Sequence, residues 1–204
     1  MSELPKAESL RDQPVSFEIR GREVVGKGRF LTLVNETVEF NGVELQREFV
    51  EHPGAVGVIA LDEDDRVLTI RQYRHPVRAR LWEVPAGLLD VADEPLLVAA
   101  QRELAEEVDL VASDWAVLLD LVSSPGMSNE RVRVFLARGL SAAPSAFARE
   151  AEEAEIELRW APLDEVVGAA LDGGIHNAIL VAGVLAAARA RDRGWANLRP
   201  LDGQ

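Results

Sequence analysis

The run Pro85-Ala86-Gly87-Leu88-Leu89-Asp90-Val91-Ala92-Asp93-Glu94, continuing into a segment that ends Arg102-Glu103-Leu104-Ala105-Glu106-Glu107-Val108, decides how this chain is read. Leu97, Ala100, Leu104 and Val108 recur at helical spacing, so Pro95 to Val108 predicts an amphipathic helix, with Asp93 or Glu94 available to cap its start. On that helix Glu103, Glu106 and Glu107 stand three and four apart, which sets their carboxylates side by side on one face. Like charges so placed cost an isolated helix roughly 0.2–0.5 kcal/mol per pair. They also fall in the last turn, where the helix dipole disfavours anions. A solvated acidic face relieved by Arg102, four residues before Glu106, accounts for a single acidic pair; two violated local rules together point to a bound cation. Oxygen donors with no Cys or His nearby select a hard ion, Mg²⁺ or Mn²⁺ rather than Zn²⁺. Just upstream, Pro85-Ala86-Gly87 offers a tight turn whose backbone can come close to a metal or a phosphate.

Outward from this stretch the pattern is strand-rich before and mixed after. Residues 1–14 are polar and read as a loose arm. Residues 15–51 alternate as strands, and Asn41-Gly42 between Phe40 and Val43 predicts a hairpin turn. Ala55–Leu61 and Arg66–Gln72, separated by Asp62-Glu63-Asp64-Asp65, read as a second hairpin. Strands are expected at Trp115–Val122, Arg131–Ala137 and Ile156–Trp160, and helices at Leu163–Leu171 and Asn177–Arg191. No internal repeat is present. The class is α+β, or a mixed sheet with flanking helices.

Composition narrows the function. The 204 residues include no Cys, which excludes disulfides and thiolate metal sites. No apolar run reaches the roughly 20 residues that span a bilayer, and the start has no signal-peptide core, so the cytoplasm is expected. Asp and Glu outnumber Lys and Arg by 35 to 22, a formal charge of −13 that opposes binding to nucleic acid or to anionic membranes. An anionic ligand would need a metal or an arginine cluster. Arg71, Arg74, Arg78 and Arg80, with His75 among them, form such a cluster.

From Gly87 to Leu110 the pattern Gly-x6-Glu-x7-Arg-Glu-Leu-x-Glu-Glu-x-Asp-Leu resembles the Nudix box. The usual pattern has five residues between Gly and the first Glu, and Gly where Asp109 stands. The extra residue lies in the loop before the helix and leaves the register of the carboxylates intact. Asp109 sits where the helix would end in a left-handed residue, which Asp visits at modest cost; lower stability is expected there, not lost chemistry. The resemblance implies an α/β/α sandwich and hydrolysis of nucleoside diphosphates linked to a further group. It makes Glu103 and Glu107 the principal metal ligands, Glu106 a ligand to a further ion, and the Ala86 carbonyl an added oxygen. Glu94 and Arg102 would form the ion pair that orients loop and helix.

Three more segments resemble the ADP-ribose pyrophosphatase branch. Ser124-Pro125-Gly126-Met127-Ser128-Asn129-Glu130 follows the box at that branch's spacing and implies roles for Met127 and Glu130 on the terminal ribose. The run Arg71–Gly87 implies that Arg74 meets phosphate and Glu83 binds the adenine or ribose side. The acidic run Glu150–Glu157 implies a glutamate acting as general base on the attacking water, with Glu152 and Glu153 the candidates. Members of the branch are homodimers whose N-terminal strands cross to the partner, so residues 15–51 are expected to serve dimerisation and 52–204 to form the hydrolase domain. The expected reaction is metal-dependent cleavage of ADP-ribose to AMP and ribose 5-phosphate. Other ADP-sugars or dinucleotides (NADH, a flavin dinucleotide) are the alternative substrates, and a non-catalytic ADP-ribose sensor is the alternative class.

Overall fold

The computed structural model describes residues 10–145, 147, 155–196 and 198–201. In chain order the elements are β1 (Glu18–Lys27), β2 (Thr32–Phe40), β3 (Val43–Glu51), β4 (Ala55–Ala60), β5 (Arg66–Arg74), β6 (Ala79–Glu83), β7 (Ala86–Leu88), α1 (Leu96–Val108), β8 (Leu110–Val122), β9 (Arg131–Ala142), β10 (Glu157–Pro162), α2 (Leu163–Leu171) and α3 (Ala178–Arg191). The strands form an antiparallel sheet β1-β2-β3, a sheet β10-β5-β6, and a sheet β7-β4-β9-β8 that is mixed because β4 and β9 run parallel. This is the expected α+β class.

The mixed sheet is covered on both faces, α1 packing on one and α3, with α2 beside it, on the other. Side chains alternate across a strand, and here the alternation divides the core. Val56, Val58 and Ala60 join Phe135, Ala137 and the Ala99, Ala100 and Leu104 face of α1. Ile59 and Leu61 join Val134, Leu136 and the Leu180, Val184 and Ala187 face of α3. Each fully buried Val, Leu, Ile or Phe among them contributes roughly 1.5–3 kcal/mol. Gly183 lets α3 lie close to the sheet, since a Cβ there would stand 2.6 Å from Ile59 Cδ1.

The Asn41-Gly42 turn forms as expected, with φ of 51° and 83° and Phe40 paired to Val43. The second hairpin does not. Leu61 bridges Val67 and the Asp62 N–H donates to the Arg66 carbonyl at 3.0 Å, but then β4 enters the mixed sheet while β5 pairs with β6 and β10. Every residue of β4 is buried; a strand apolar on both sides belongs at the centre of a covered sheet, and a local turn signal cannot show that. The helix cap is a further correction. Pro95 takes the capping position of α1 without a side-chain bond, while Asp93 adopts a left-handed φ of 59° and Glu94 is drawn to Arg102. A guanidinium is a stronger partner for a carboxylate than a neutral amide. Among the described residues no helix is long and apolar enough to cross a membrane.

Candidate active site

The site is built where β7 passes beneath α1. Val58 N–H donates to the Pro85 carbonyl at 2.8 Å, and Ala86, Gly87 and Leu88 then pair with Gly57, Val56 and Ala55 of β4. This pins the turn to the most buried strand of the fold. A Cβ on Gly87 would overlap the Glu103 carboxylate, so glycine is required for the close approach of backbone and side chain. Glu107 is buried, and its Oε2 accepts the Ala86 N–H at 3.0 Å. The helix face and the turn are thus joined through the candidate ligands themselves.

Arg102 holds the remaining carboxylates. Its Nε and Nη2 donate to the two oxygens of Glu94 at 3.1 and 3.0 Å, a bidentate fork across the loop. Its Nη1 donates to Glu103 at 2.7 Å and to Glu106 at 3.1 Å. The Arg102 bond keeps the Glu94 carboxyl below the usual carboxylate range, and the bond to Glu94, followed by the charge of Glu103, raises Arg102 further. Arg102 therefore relieves the crowding, and the carboxylates stay grouped. Among the described residues no three acidic or histidine side chains stand as a ready ligand cage; around the box, Arg102 Nη1 bridges Glu103 and Glu106. The donor chemistry nonetheless fits a hard divalent cation, because all the candidate ligands are oxygens, Gly87 leaves room for Glu103, and backbone and carboxylate meet at Ala86.

The substrate candidates fall in separate places. Glu83, at the end of β6, is 3% exposed and accepts from Arg74 Nε at 2.9 Å and Nη2 at 2.7 Å, with Gln72 donating at 3.3 Å. Arg74 and Glu83 are thus brought together. Arg71 and Arg80 pair with Glu157 and Glu155 instead. Met127 and Glu130 lie on the loop between β8 and β9, which is stitched to β3: Val50 N–H donates to the Met127 carbonyl at 2.8 Å, and Glu130 lies 3.5 Å from His52 Nε2. His52 and Gln72 carry no signal in the sequence, since Gln72 meets Glu83 only through the pairing of β5 with β6, and His52 meets Glu130 only where the β8–β9 loop reaches the end of β3. Glu152 and Glu153 lie outside the described residues.

Asp109 ends α1 with φ 54° and ψ 36°, the left-handed conformation expected of it. Its side chain is also engaged, accepting the Phe147 N–H at 3.0 Å, a bond that the spacing of the box does not reveal.

A loop and helix that group carboxylates on a turn of glycine-permitted closeness, inside a sheet covered by helices on both faces, define a class: hydrolases that work on phosphoryl groups with divalent cations. The NUDIX domain family matches residues 51–182. The chain is 46% identical over 187 residues to an ADP-ribose pyrophosphatase of Mycobacterium tuberculosis, covering 91% of this chain and 89% of the relative. It is 35% identical over 146 residues to a methanol dehydrogenase activator of Bacillus methanolicus, 71% and 78% of the two chains. A crystal structure of an ADP compounds hydrolase superposes with a TM-score of 0.74 at 23% identity, over 90% of this chain and 99% of the other, and shows the same fold. The chain belongs to the Nudix family of hydrolases.

Proposed function

We propose that this chain hydrolyses the pyrophosphate bond of ADP-ribose, giving AMP and ribose 5-phosphate, with Mg²⁺ or Mn²⁺. The reaction type is carried by one observation: Gly87 is kept bare beneath Glu103 while Glu107 grips the same turn through the Ala86 N–H. The choice of ADP-ribose is supported by the relative of that name, 46% identical across 91% of this chain.

In this reading Glu103 and Glu107 hold the principal cation, Glu106 a further one, and the Ala86 carbonyl adds a neutral oxygen. When bound, the cations neutralise the two phosphoryl groups and stabilise the charge that develops on the leaving oxygen. Arg102 and Glu94 keep loop and helix in register. Arg74, oriented by the buried Glu83, meets a phosphate, and Glu83 acts on the adenine or ribose side through that guanidinium. Met127 and Glu130 contact the terminal ribose. Glu152 or Glu153 takes the proton of the attacking water as oxygen bonds to phosphorus and the bridging P–O bond breaks.

Residues 15–51 serve as a dimerisation extension after the arm 1–14, and 52–204 form the hydrolase domain, acting in the cytoplasm. Ile19, Val24, Val25, Phe40 and Val43 are exposed on the β1-β2-β3 sheet, apolar surface of the kind a second copy covers. The formal charge of −13 disfavours nucleic acid and anionic membranes as partners. Product analysis tests the proposal. AMP and ribose 5-phosphate should appear in equal amounts with Mg²⁺ or Mn²⁺ and vanish with chelator; cleavage that survives chelation would refute it.

A further inference from the structure

We propose that His52 is a positioning residue whose ring holds Glu130 for the terminal ribose and ties the β8–β9 loop to the turn of the box; the proposal rests on the ADP-ribose reading above. His52 opens the connection His52-Pro53-Gly54 between β3 and β4, and its side chain is only 14% exposed. The two ring nitrogens have different tasks. Nδ1 accepts the Gly54 N–H at 3.0 Å, and a nitrogen that accepts carries no proton, so the ring hydrogen of this tautomer stands on Nε2. Nε2 lies 3.5 Å from Glu130 Oε1. That separation is longer than an ordinary hydrogen bond, so the N–H attracts the carboxylate by charge and favours one placement of a side chain that is 26% exposed.

The backbone on either side gives the ring its leverage. Toward the β8–β9 loop, the His52 N–H donates to Asn129 Oδ1 at 2.8 Å, the Val50 carbonyl accepts the Asn129 N–H at 3.3 Å, and the Glu130 N–H donates to Ser128 Oγ at 3.0 Å. Toward the box, the Gly54 carbonyl accepts the Leu89 N–H at 3.1 Å, and Leu89 directly follows β7, the strand that Glu103 and Glu107 meet. Gly54 has a φ of 97°, and a Cβ there would stand 3.2 Å from the Arg131 carbonyl oxygen and 3.1 Å from Leu89 Cδ1. The connection is thus wedged between the two loops, and the ring reaches Gly54 with one nitrogen and Glu130 with the other. In the proposed reading one loop takes the sugar and the other the phosphoryl groups of a single substrate. Holding the two in one register lets both ends bind without distortion.

The test sets His52→Asn beside His52→Gln in the full chain, and combines His52→Asn with Glu130→Gln, reading kcat and KM for ADP-ribose with Mg²⁺ and the ring tautomer by long-range proton–nitrogen NMR. Asn presents Oδ1 where Nδ1 stands, which keeps the Gly54 bond and loses the reach to Glu130. Gln presents an amide N–H where Nε2 stands and gives up the Gly54 bond. His52→Asn should therefore raise KM roughly three- to tenfold with kcat within about twofold, and His52→Gln should recover most of that loss. Added to Glu130→Gln, His52→Asn should raise KM less than about twofold further. A histidine that only shapes the turn predicts the reverse order, since His52→Gln alone breaks the bond to Gly54. That order, or KM increases that multiply in the double variant, would overturn the proposal, as would a wild-type ring with its proton on Nδ1 and Nε2 bare. If the wild-type chain fails to cleave ADP-ribose, the functional reading falls, and a shift of the His52 ring nitrogen signals in Glu130→Gln still decides whether the ring holds that carboxylate.

Discussion

The box and the N-terminal sheet solve opposite problems with the same chain. Around α1, polar groups are crowded and half-buried, and each is matched locally: Arg102 spans Glu94, Glu103 and Glu106, and Glu107 bonds the turn it faces. In β1-β2-β3 apolar side chains are left outward, with Val24 55% and Val43 57% exposed, although charged ladders such as Arg22 with Glu36 and Glu51 hold the strands in register. Among the described residues the charged groups of the box find partners within one chain. The sheet leaves apolar area exposed, the surface that the proposed dimer would cover. In the proposed reading, electrostatic crowding suits a small ion and apolar exposure suits a protein surface.

Four variants would break or sharpen that contrast. Glu107→Gln keeps an oxygen for the Ala86 N–H but removes the charge, so turnover should fall at least about a hundredfold with the fold intact, as steady-state rates and circular dichroism would show. Gly87→Ala forces a Cβ against the Glu103 carboxylate; a misplaced ligand should cost about thirtyfold in kcat, read in the same assay. Ile19→Lys with Val24→Lys should weaken self-association at least about tenfold by sedimentation, and a monomeric wild type would show that the sheet faces something else. The smallest effect concerns pH. Because Arg102 holds the Glu94 carboxyl below its ordinary range, the pair stabilises the fold fully above the unfolded-chain value of about 4.3. That stability is lost as pH falls through the lower folded-state value. Melting curves should therefore drop more steeply on acidification for wild type than for Glu94→Gln.

What could be read from sequence follows the same division. The carboxylate face, the left-handed Asp109 and the Asn41-Gly42 turn depend on neighbours within a few residues, and the spacing alone reveals them. The parting of β4 from β5 depends on β9, some seventy residues on, and no local rule contains it. The Arg71–Arg80 cluster shows the limit most clearly. As sequence it is a concentration of positive charge suited to phosphate, yet in the fold Arg74, Arg71 and Arg80 meet Glu83, Glu157 and Glu155, partners delivered by β6, β10 and the residues just before β10. Likewise Asp109 is legible as a helix end, but its bond to Phe147 is visible only once β9 has returned alongside β8.

The central claim is that the α1 carboxylates form a cation site rather than a solvated acidic face, and Mn²⁺ binding followed by electron paramagnetic resonance tests it most directly. Wild type should take up Mn²⁺ at low metal concentration, and Glu103→Gln with Glu107→Gln should abolish that uptake while the rest of the acidic surface stays unchanged. Equal uptake by the two proteins would contradict the account, and would make Arg102 the only cation the helix was built to hold.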